Sequence, residues 1–352
     1  MAEKIRVGLV GYGYAGKTFH APLIAGTPGL ELAAVSSSDA GKVHADWPSM
    51  TVVGGAQALF ADPALDLIVI PTPNDTHFPL AQQALAAGKH VVVDKPFTVT
   101  LSQAQALQQQ AQQSGLLLSV FHNRRWDSDF LGVKQVIEQG LIGKVTHFES
   151  HIDRYRPEVR VRWREQNLPG SGLWFDLGPH MVDQALQLFG LPHSVQANIA
   201  TLRPNAQIND WAHVVLNYPT HRVILHGSML VAGGVSRFTV HGEKGSVVKA
   251  RADGQESQLL AGVTPGSAEW GKDDDAMSLF IGTEPVRTLP TPDGDQRQYY
   301  VQVRDALRGA GSNPVTAPQA LAVMAVLEAA TLAAETGVTQ SLPLTEAEIA
   351  AW

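Results

Sequence analysis

An apolar, β-branched run, Ile5–Val10, passes without a break into Gly11-Tyr12-Gly13-Tyr14-Ala15-Gly16. A helical pattern follows near Gly16–Ala25, so the junction reads strand, tight turn, helix. In that setting the three glycines have separate jobs. Gly11 permits the turn, Gly13 lets the backbone approach a diphosphate, and Gly16 lets the helix pack against the strand. The helix N-terminus then offers unpaired N–H groups and a favourable dipole to an anion. The plainer alternative is a glycine-rich turn that holds nothing.

The pattern continues as one such unit after another. Strands are expected at Ile5–Val10, Glu31–Val35, Leu65–Ile70, His90–Val93 and Leu116–Phe121, with helices near Gly16–Ala25, Asp75–Ala87 and Ser102–Ser114. Apolar strands alternating with amphipathic helices make a parallel sheet covered on both faces. Gly88 and Gly115 suit helix C-caps. Beyond residue 140 the texture changes to polar–apolar alternation, at Lys144–Asp153, Ser194–Leu202, Trp211–Tyr218, Arg222–Met229, Arg237–His241 and Ser246–Ala250. Alternation predicts an antiparallel sheet with two unlike faces. One helix, Pro179–Phe189, interrupts it, Asp253–Asp275 reads as a surface loop, and helices at Arg297–Arg308 and Pro318–Glu335 close the chain. The fold class is therefore α/β, with a dinucleotide-binding Rossmann domain at 1–122 and a substrate-binding and oligomerisation domain at 123–352. A chain of 352 residues exceeds one compact core, which agrees.

Composition narrows the function classes. A formal charge of −7 argues against nucleic acid or an anionic membrane as partner. Cysteine is absent, which rules out disulfides, thiolate nucleophiles and thiolate metal sites. There is no signal-peptide pattern at the N-terminus, and no apolar run is expected to span a membrane. The expected setting is the cytoplasm.

The ends of the strands carry the chemistry, because open parallel sheets bind ligands outside their carboxyl ends. The second strand ends in Ser36-Ser37-Ser38, where NAD-preferring folds place an acid near the position of Ser37. A carboxylate there would repel a 2′-phosphate and a serine can donate to one, so NADP is expected over NAD, which remains possible. Asp39 suggests a turn and Lys42 could add positive charge; the bland reading is three serines capping a helix. After the Leu65–Ile70 strand come Thr72-Pro73-Asn74, where Asn74 caps the next helix or contacts a ribose. Next come Asp94-Lys95-Pro96: a lysine past a buried strand, in a cleft, would stabilise a developing alkoxide, and Pro96 admits a cis bond. The plain alternative is a solvated lysine. The third segment is Asp176-Leu177-Gly178-Pro179-His180. With Pro179 at the first helical position, Gly178 would cap the helix and place His180 in its first turn as a neutral base, alongside Asp183 and Gln187 on the polar face. A solvated polar face would look the same.

Together these segments resemble the Gfo/Idh/MocA oxidoreductases, over essentially the whole chain. The Glu-Lys-Pro signature of that family appears as Asp94-Lys95-Pro96 and its D-x-x-x-H motif as Asp176…His180. The strings His122–Phe130, Asp153–Val159, Arg162–Glu165, Phe175–Gly178, Asp183-Gln184 and Phe19–Leu23 resemble the branch that contains NADP-dependent scyllo-inositol dehydrogenase. The resemblance implies Lys95, Asp176 and His180 as catalytic residues. It implies Gly11, Tyr12, Gly13, Ala15, Gly16, Ser36, Ser37, Ser38, Thr72, Pro73, Asn74, His77, Asp94, Lys95, Trp163 and Arg164 around the cofactor. It implies His122, Asn123 and Asp183 near the substrate. Asp94 is one methylene shorter than the usual glutamate.

The expected reaction is reversible hydride transfer between a nicotinamide and a ring hydroxyl of a cyclic polyol or sugar. His180 takes the proton, Lys95 stabilises the oxygen and Asp176 orients the pair. Because the nicotinamide carries the redox chemistry, no metal is needed and none is expected. The rival readings are a reductase of a keto-sugar or sugar acid, suggested by Arg154, Arg156, Arg160, Arg162 and Arg164, and a regulator that binds cofactor without turnover. An apolar sheet face is expected to drive homo-oligomerisation, as a dimer or a dimer of dimers.

Overall fold

A computed structural model describes residues 3–352. The chain divides into two compact units: Met1–Asn123 with Gln255–Trp270 and Asp295–Ala320, and Arg124–Gly254 with Gly271–Gly294 and Leu321–Trp352. Each unit thus draws on three stretches of sequence.

The first unit is built on six parallel strands, β1 (Ile5–Val10), β2 (Leu30–Ser36), β3 (Thr51–Val53), β4 (Leu67–Ile70), β5 (His90–Val93) and β6 (Leu118–Val120), in the order β3-β2-β1-β4-β5-β6. Every residue of β4 is fully buried, as are Val91, Val92 and Val93. That is why these strands read as unbroken apolar runs: helices cover both faces. Asp39 caps the helix Ala40–Asp46 by accepting from the Lys42 N–H, and Thr100 caps Leu101–Ser114, which ends at Gly115 in the left-handed region. The strand order reverses between β1 and β4, and a ligand crevice belongs there, at the carboxyl ends. The sequence reading lacks β3 and the helices Ala40–Asp46 and Ala56–Ala61, all of them short.

The second unit holds an eight-stranded sheet: β7 (Val145–Asp153), β8 (Ser194–Ala200), β9 (Trp211–Asn217), β10 (Arg222–Ser228), β11 (Phe238–Gly242), β12 (Gly245–Lys249), β13 (Met277–Ile281) and β14 (Arg287–Leu289). The order is β14-β13-β12-β11-β7-β10-β9-β8; β7 and β10 run parallel, and every other pair is antiparallel.

Four expectations change. The helix expected at Pro179–Phe189 runs from Gly172 to Phe189, with Ser171 at the N-cap and Pro179 inside. Burial of Leu173, Trp174, Leu177, Met181 and Leu186 outweighs the backbone hydrogen bond lost at Pro179. Gly178 is therefore no cap; a Cβ there would lie 2.8 Å from the Trp174 ring. The stretch Asp253–Asp275 is not simply a surface loop, since it contains the helix Gln255–Leu260 and buries Gln255 and Trp270. The helix Ala317–Thr336 is long and apolar enough to cross a membrane by length and composition, with mean hydropathy 1.5, but most of that window is buried inside the protein. It reads as a core helix. Finally, one sheet face of the second unit buries Phe148, Val214, Leu216, Val223, Leu225 and Val240 beneath helices, while the other is mixed, with Val215 and Ile224 among polar side chains. It carries His147, Glu149, His151 and Asp153 on β7, with Trp211, His213 and His226 beside them.

Candidate functional site

In the first unit the sequence-expected residues gather at the strands' carboxyl ends, with Ser36 closing β2 and His77 in the helix that follows β4. Gly11 has φ +91°, so the turn after β1 needs a glycine. A Cβ on Gly16 would sit 2.5 Å from the Gly11 carbonyl oxygen, which fixes the close packing of helix on strand. Gly13 is exposed, and a Cβ there would meet nothing within 4 Å. That open space over a helix N-terminus, floored by backbone, is what a diphosphate requires. The helix takes a π turn at Gly16–His20. Ala15 lies in its first turn and is half-buried. The Tyr12 side chain is buried; its hydroxyl donates to Asp46 (2.9 Å) and accepts from Trp47 Nε1 (2.8 Å). Burial first, then Asp46, raises its pKa above the ordinary value.

At the end of β2, Ser36 is buried and its carbonyl accepts from the Gly11 N–H (2.9 Å). Ser37 is half-buried and Ser38 is exposed. The Ser37 hydroxyl lies 3.1 Å from both the Asp39 N–H and the Asp39 carbonyl. Asp39 turns its carboxylate to the helix cap, at 3.0 Å from the Lys42 N–H.

Beyond β4, Thr72 is half-buried, Pro73 is exposed and Asn74 is buried. Pro73 occupies the N-cap position and Asn74 begins the helix Asn74–Ala86, so Asn74 is not the cap. His77 is fully buried. Its Nδ1 lies 2.8 Å from the Pro96 carbonyl oxygen and its Nε2 2.9 Å from that of Thr72. These two contacts tie the β4 and β5 loops together through the His77 ring.

The β5 loop holds Asp94, Lys95 and Pro96, with a cis bond between the last two. Asp94 is buried and accepts from the Lys95 N–H (2.7 Å). Its other oxygen is 3.7 Å from His20 Nε2, while His20 Nδ1 is 2.6 Å from the Tyr300 hydroxyl. Burial opposes ionisation of Asp94, but His20, Lys95 and His77 outweigh it and hold the carboxyl at about 2. Burial likewise keeps Tyr300 protonated. The phenol and Nδ1 share that hydrogen bond, which turns the Nε2 edge of His20 towards Asp94. Lys95 itself is half-buried.

After β6, His122 and Asn123 are buried. The Asn123 amide donates to Gln296 (2.9 Å), whose N–H donates to Gln255 Oε1 (2.7 Å). Tyr14 donates to Glu256 (2.7 Å). His20, Tyr300, Gln255, Glu256 and Gln296 were missed by strand-end reasoning. Only the string Phe19–Leu23, which contains His20, hinted at any of them.

In the second unit Asp176 and His180 stand four apart on one helix and so share a face. His180 lies mid-helix, not in the first turn, and the dipole argument for its neutrality falls. Asp176 sits 3.5 Å from Arg164 Nε and 3.8 Å from Arg154 Nη1. The Arg164 guanidinium lies over the Trp163 ring, 4.5 Å from its centroid. Arg162 pairs with Glu165 (3.0 Å), and buried Arg203 joins Glu165 (2.5 Å) to Asp210 (2.9 Å). Asp183 is buried in a two-pronged pair with Arg125, at 2.9 and 2.6 Å. Both of its oxygens thus serve that guanidinium.

The comparisons with known proteins agree with this architecture. Residues 5–122 match the family model described as "Oxidoreductase family, NAD-binding Rossmann fold", and residues 134–342 match "Oxidoreductase family, C-terminal alpha/beta domain". Uncharacterized oxidoreductase YdgJ of Escherichia coli is 59% identical over 93% of this chain and 96% of its own length. The scyllo-inositol 2-dehydrogenase (NADP(+)) IolW of Bacillus subtilis is 36% identical over 93% of both chains. The crystal structure of a Klebsiella pneumoniae oxidoreductase, 61% identical, superposes with a TM-score of 0.94 over 99% of this chain and 98% of that one. A Rossmann unit with an open glycine loop, a second unit on a mainly antiparallel sheet, and family matches over both make the conclusion direct: the chain is an oxidoreductase of the Gfo/Idh/MocA family, with a nicotinamide-binding Rossmann domain.

Proposed function

We propose that the chain transfers a hydride reversibly between NADP(H) and a hydroxyl or keto group of a cyclic polyol, scyllo-inositol and scyllo-inosose being the pair suggested by the IolW relative. The observation that carries the reading is the β5 loop. Its lysine follows a carboxylate held ionised at about 2 and stands beyond a buried strand. The bound nicotinamide supplies the hydride acceptor or donor. Gly11, Gly13, Ala15 and Gly16 hold the diphosphate, Ser36, Ser37 and Ser38 the adenosine ribose and its 2′-phosphate, and Thr72, Pro73 and Asn74 the second ribose. Trp163 and Arg164 complete the cofactor set. Tyr12 and His77 act from below, by packing and by joining loops.

Lys95 donates a hydrogen bond to the reacting oxygen and stabilises its partial charge. His180 takes the hydroxyl proton in oxidation and returns it in reduction. Asp176 orients His180 from one turn away. His122, Asn123 and the Arg125 guanidinium held by Asp183 read the remaining hydroxyls. Arg154 and Arg164 beside Asp176 favour one second reading, a keto-sugar acid as substrate. The cytoplasm fits a chain with no cysteine. A homodimer formed through the open sheet face would have to seat its histidines and carboxylates.

The test follows NADPH absorbance with scyllo-inosose and with a panel of keto-sugars and keto-sugar acids. Preference for the inosose supports the first substrate, and preference for the acids supports the second. Binding of NADPH with no oxidation on any of them would leave a cofactor-binding regulator. Lys95→Ala should keep NADPH binding and lose about 10²–10³ in turnover. Near-normal rates would remove Lys95 from the reaction.

A further inference from the structure

The mixed sheet face of the second unit carries more than solvation requires. Strand register aligns His213 on β9, His226 on β10 and His151 on β7 in one row, since His226 pairs with both of the others. Asp153 stands two residues beyond His151 on the same face. One ligand atom from each of His151, Asp153 and His226 lies within 4.8 Å of the others.

The spacings fit a coordination shell, and the His151–Asp153 contact is also within hydrogen-bond reach. His151 Nδ1 is 3.3 Å from Asp153 Oδ2, and His226 Nε2 is 3.7 Å from Asp153 Oδ1. A charge-assisted hydrogen bond closes to about 2.7–2.9 Å, as the His147–Glu149 pair beside them does at 2.7 Å. Four ligands about 2.1 Å from one ion stand roughly 3.4 Å apart. The Asp153 side chain is 4% exposed, and its Oδ1 is buried without a hydrogen bond.

The outer contacts match as well. His151 turns its other nitrogen, Nε2, to Glu149 (3.0 Å), and His226 turns Nδ1 to His213 Nδ1 (3.3 Å). A metal-bound imidazole needs such a partner for its remaining N–H, to fix the tautomer and aim the ligating nitrogen.

We propose that His151, Asp153 and His226 form a binding site for one divalent transition-metal ion, of the two-imidazole, one-carboxylate kind that suits Zn²⁺ and, in the laboratory, Co²⁺. Glu149 and His213 support it from outside, and water completes the shell. Within the second unit the site lies on the sheet face opposite the helix that carries Asp176 and His180, and no step of the proposed reaction passes through it.

The experiment uses the untagged full-length chain, stripped with chelator, loaded with ZnCl2 and desalted. Wild type should retain one zinc per chain by elemental analysis. His226→Gln and His151→Gln should each retain less than about a tenth of that, with unchanged circular dichroism and NADPH binding, while His193→Gln should match wild type. X-ray absorption at the zinc edge of wild type should show two imidazoles in an N/O shell, a readout that needs no variant to fold. No retained zinc in wild type, a shell without imidazole, or equal retention by a folded His151→Gln/His226→Gln double variant would overturn the proposal.

Discussion

Two glycines three residues apart should respond to alanine in opposite ways. At Gly16 the new methyl would lie 2.5 Å from the Gly11 carbonyl oxygen. Ordinary contacts lie beyond about 3.4 Å, so helix or turn must move by nearly 1 Å. Overpacking against backbone costs about 1–3 kcal/mol. At Gly13 the methyl meets nothing within 4 Å, and no positive φ stands in its way. Gly13→Ala should therefore fold as well as wild type, or up to about 1 kcal/mol better through a less flexible unfolded chain. Its cost appears only with cofactor, where the methyl fills the approach to the diphosphate. Losing one hydrogen bond to a charged oxygen costs about 1.5–3 kcal/mol, roughly ten- to 150-fold in affinity. Thermal unfolding and NADPH titration by fluorescence, run on both variants, separate the effects. The expected pattern is a lowered melting temperature for Gly16→Ala, and for Gly13→Ala an unchanged one with weakened binding. Wild-type affinity in Gly13→Ala would refute the placement of the diphosphate over that residue.

Two further substitutions address specificity and scaffold. Ser37→Asp puts a carboxylate where a 2′-phosphate is proposed to rest and should move kcat/KM from NADPH towards NADH; an unchanged ratio would place phosphate recognition elsewhere. Arg203→Met leaves buried Asp210 with only the Leu202 and Arg203 backbone N–H groups and buried Glu165 with only Arg162. Breaking such a cluster costs about 3–5 kcal/mol, so denaturant unfolding of the second unit should shift by that order, and a loss below 1 kcal/mol would show the cluster to be solvated.

The parallel sheet was legible because β4 and β5 are buried on both faces and so spell themselves as apolar runs, and β1 and β2 end in the same way. Three-residue β3 is too short to carry a pattern, and β13 and β14 lie in a stretch rich in glycine and charge. The error at Pro179 has a different origin. Proline at a first helical turn is a sound local rule, but the apolar face from Leu173 to Leu186 is long enough to carry the helix through it. With that correction His180 loses the helix terminus as the source of its neutrality, and Asp176 joins it on the same face instead. The histidine row was hidden because alternation states that a strand has two faces but not which strands lie side by side. His151 and His226 are 75 positions apart, and only the parallel pairing of β7 with β10 makes them neighbours.

The same distinction separates the residues proposed to touch substrate and cofactor from those that hold them. Motifs at strand ends name the first kind, because turn chemistry leaves a local mark. What fixes the β5 loop is assembled from four distant stretches: His20 in the glycine helix, His77 in the next crossover, Asp94 itself and Tyr300 in a late helix. Each looks like an ordinary core or helix residue in its own sequence neighbourhood. Together they build the surroundings of one buried carboxylate, in which His20, Lys95 and His77 favour its charge and hold it ionised although burial alone would neutralise it. A lysine anchored at such a carboxylate through its own backbone N–H begins from a fixed point, so its ammonium has less freedom to lose when a substrate oxygen arrives.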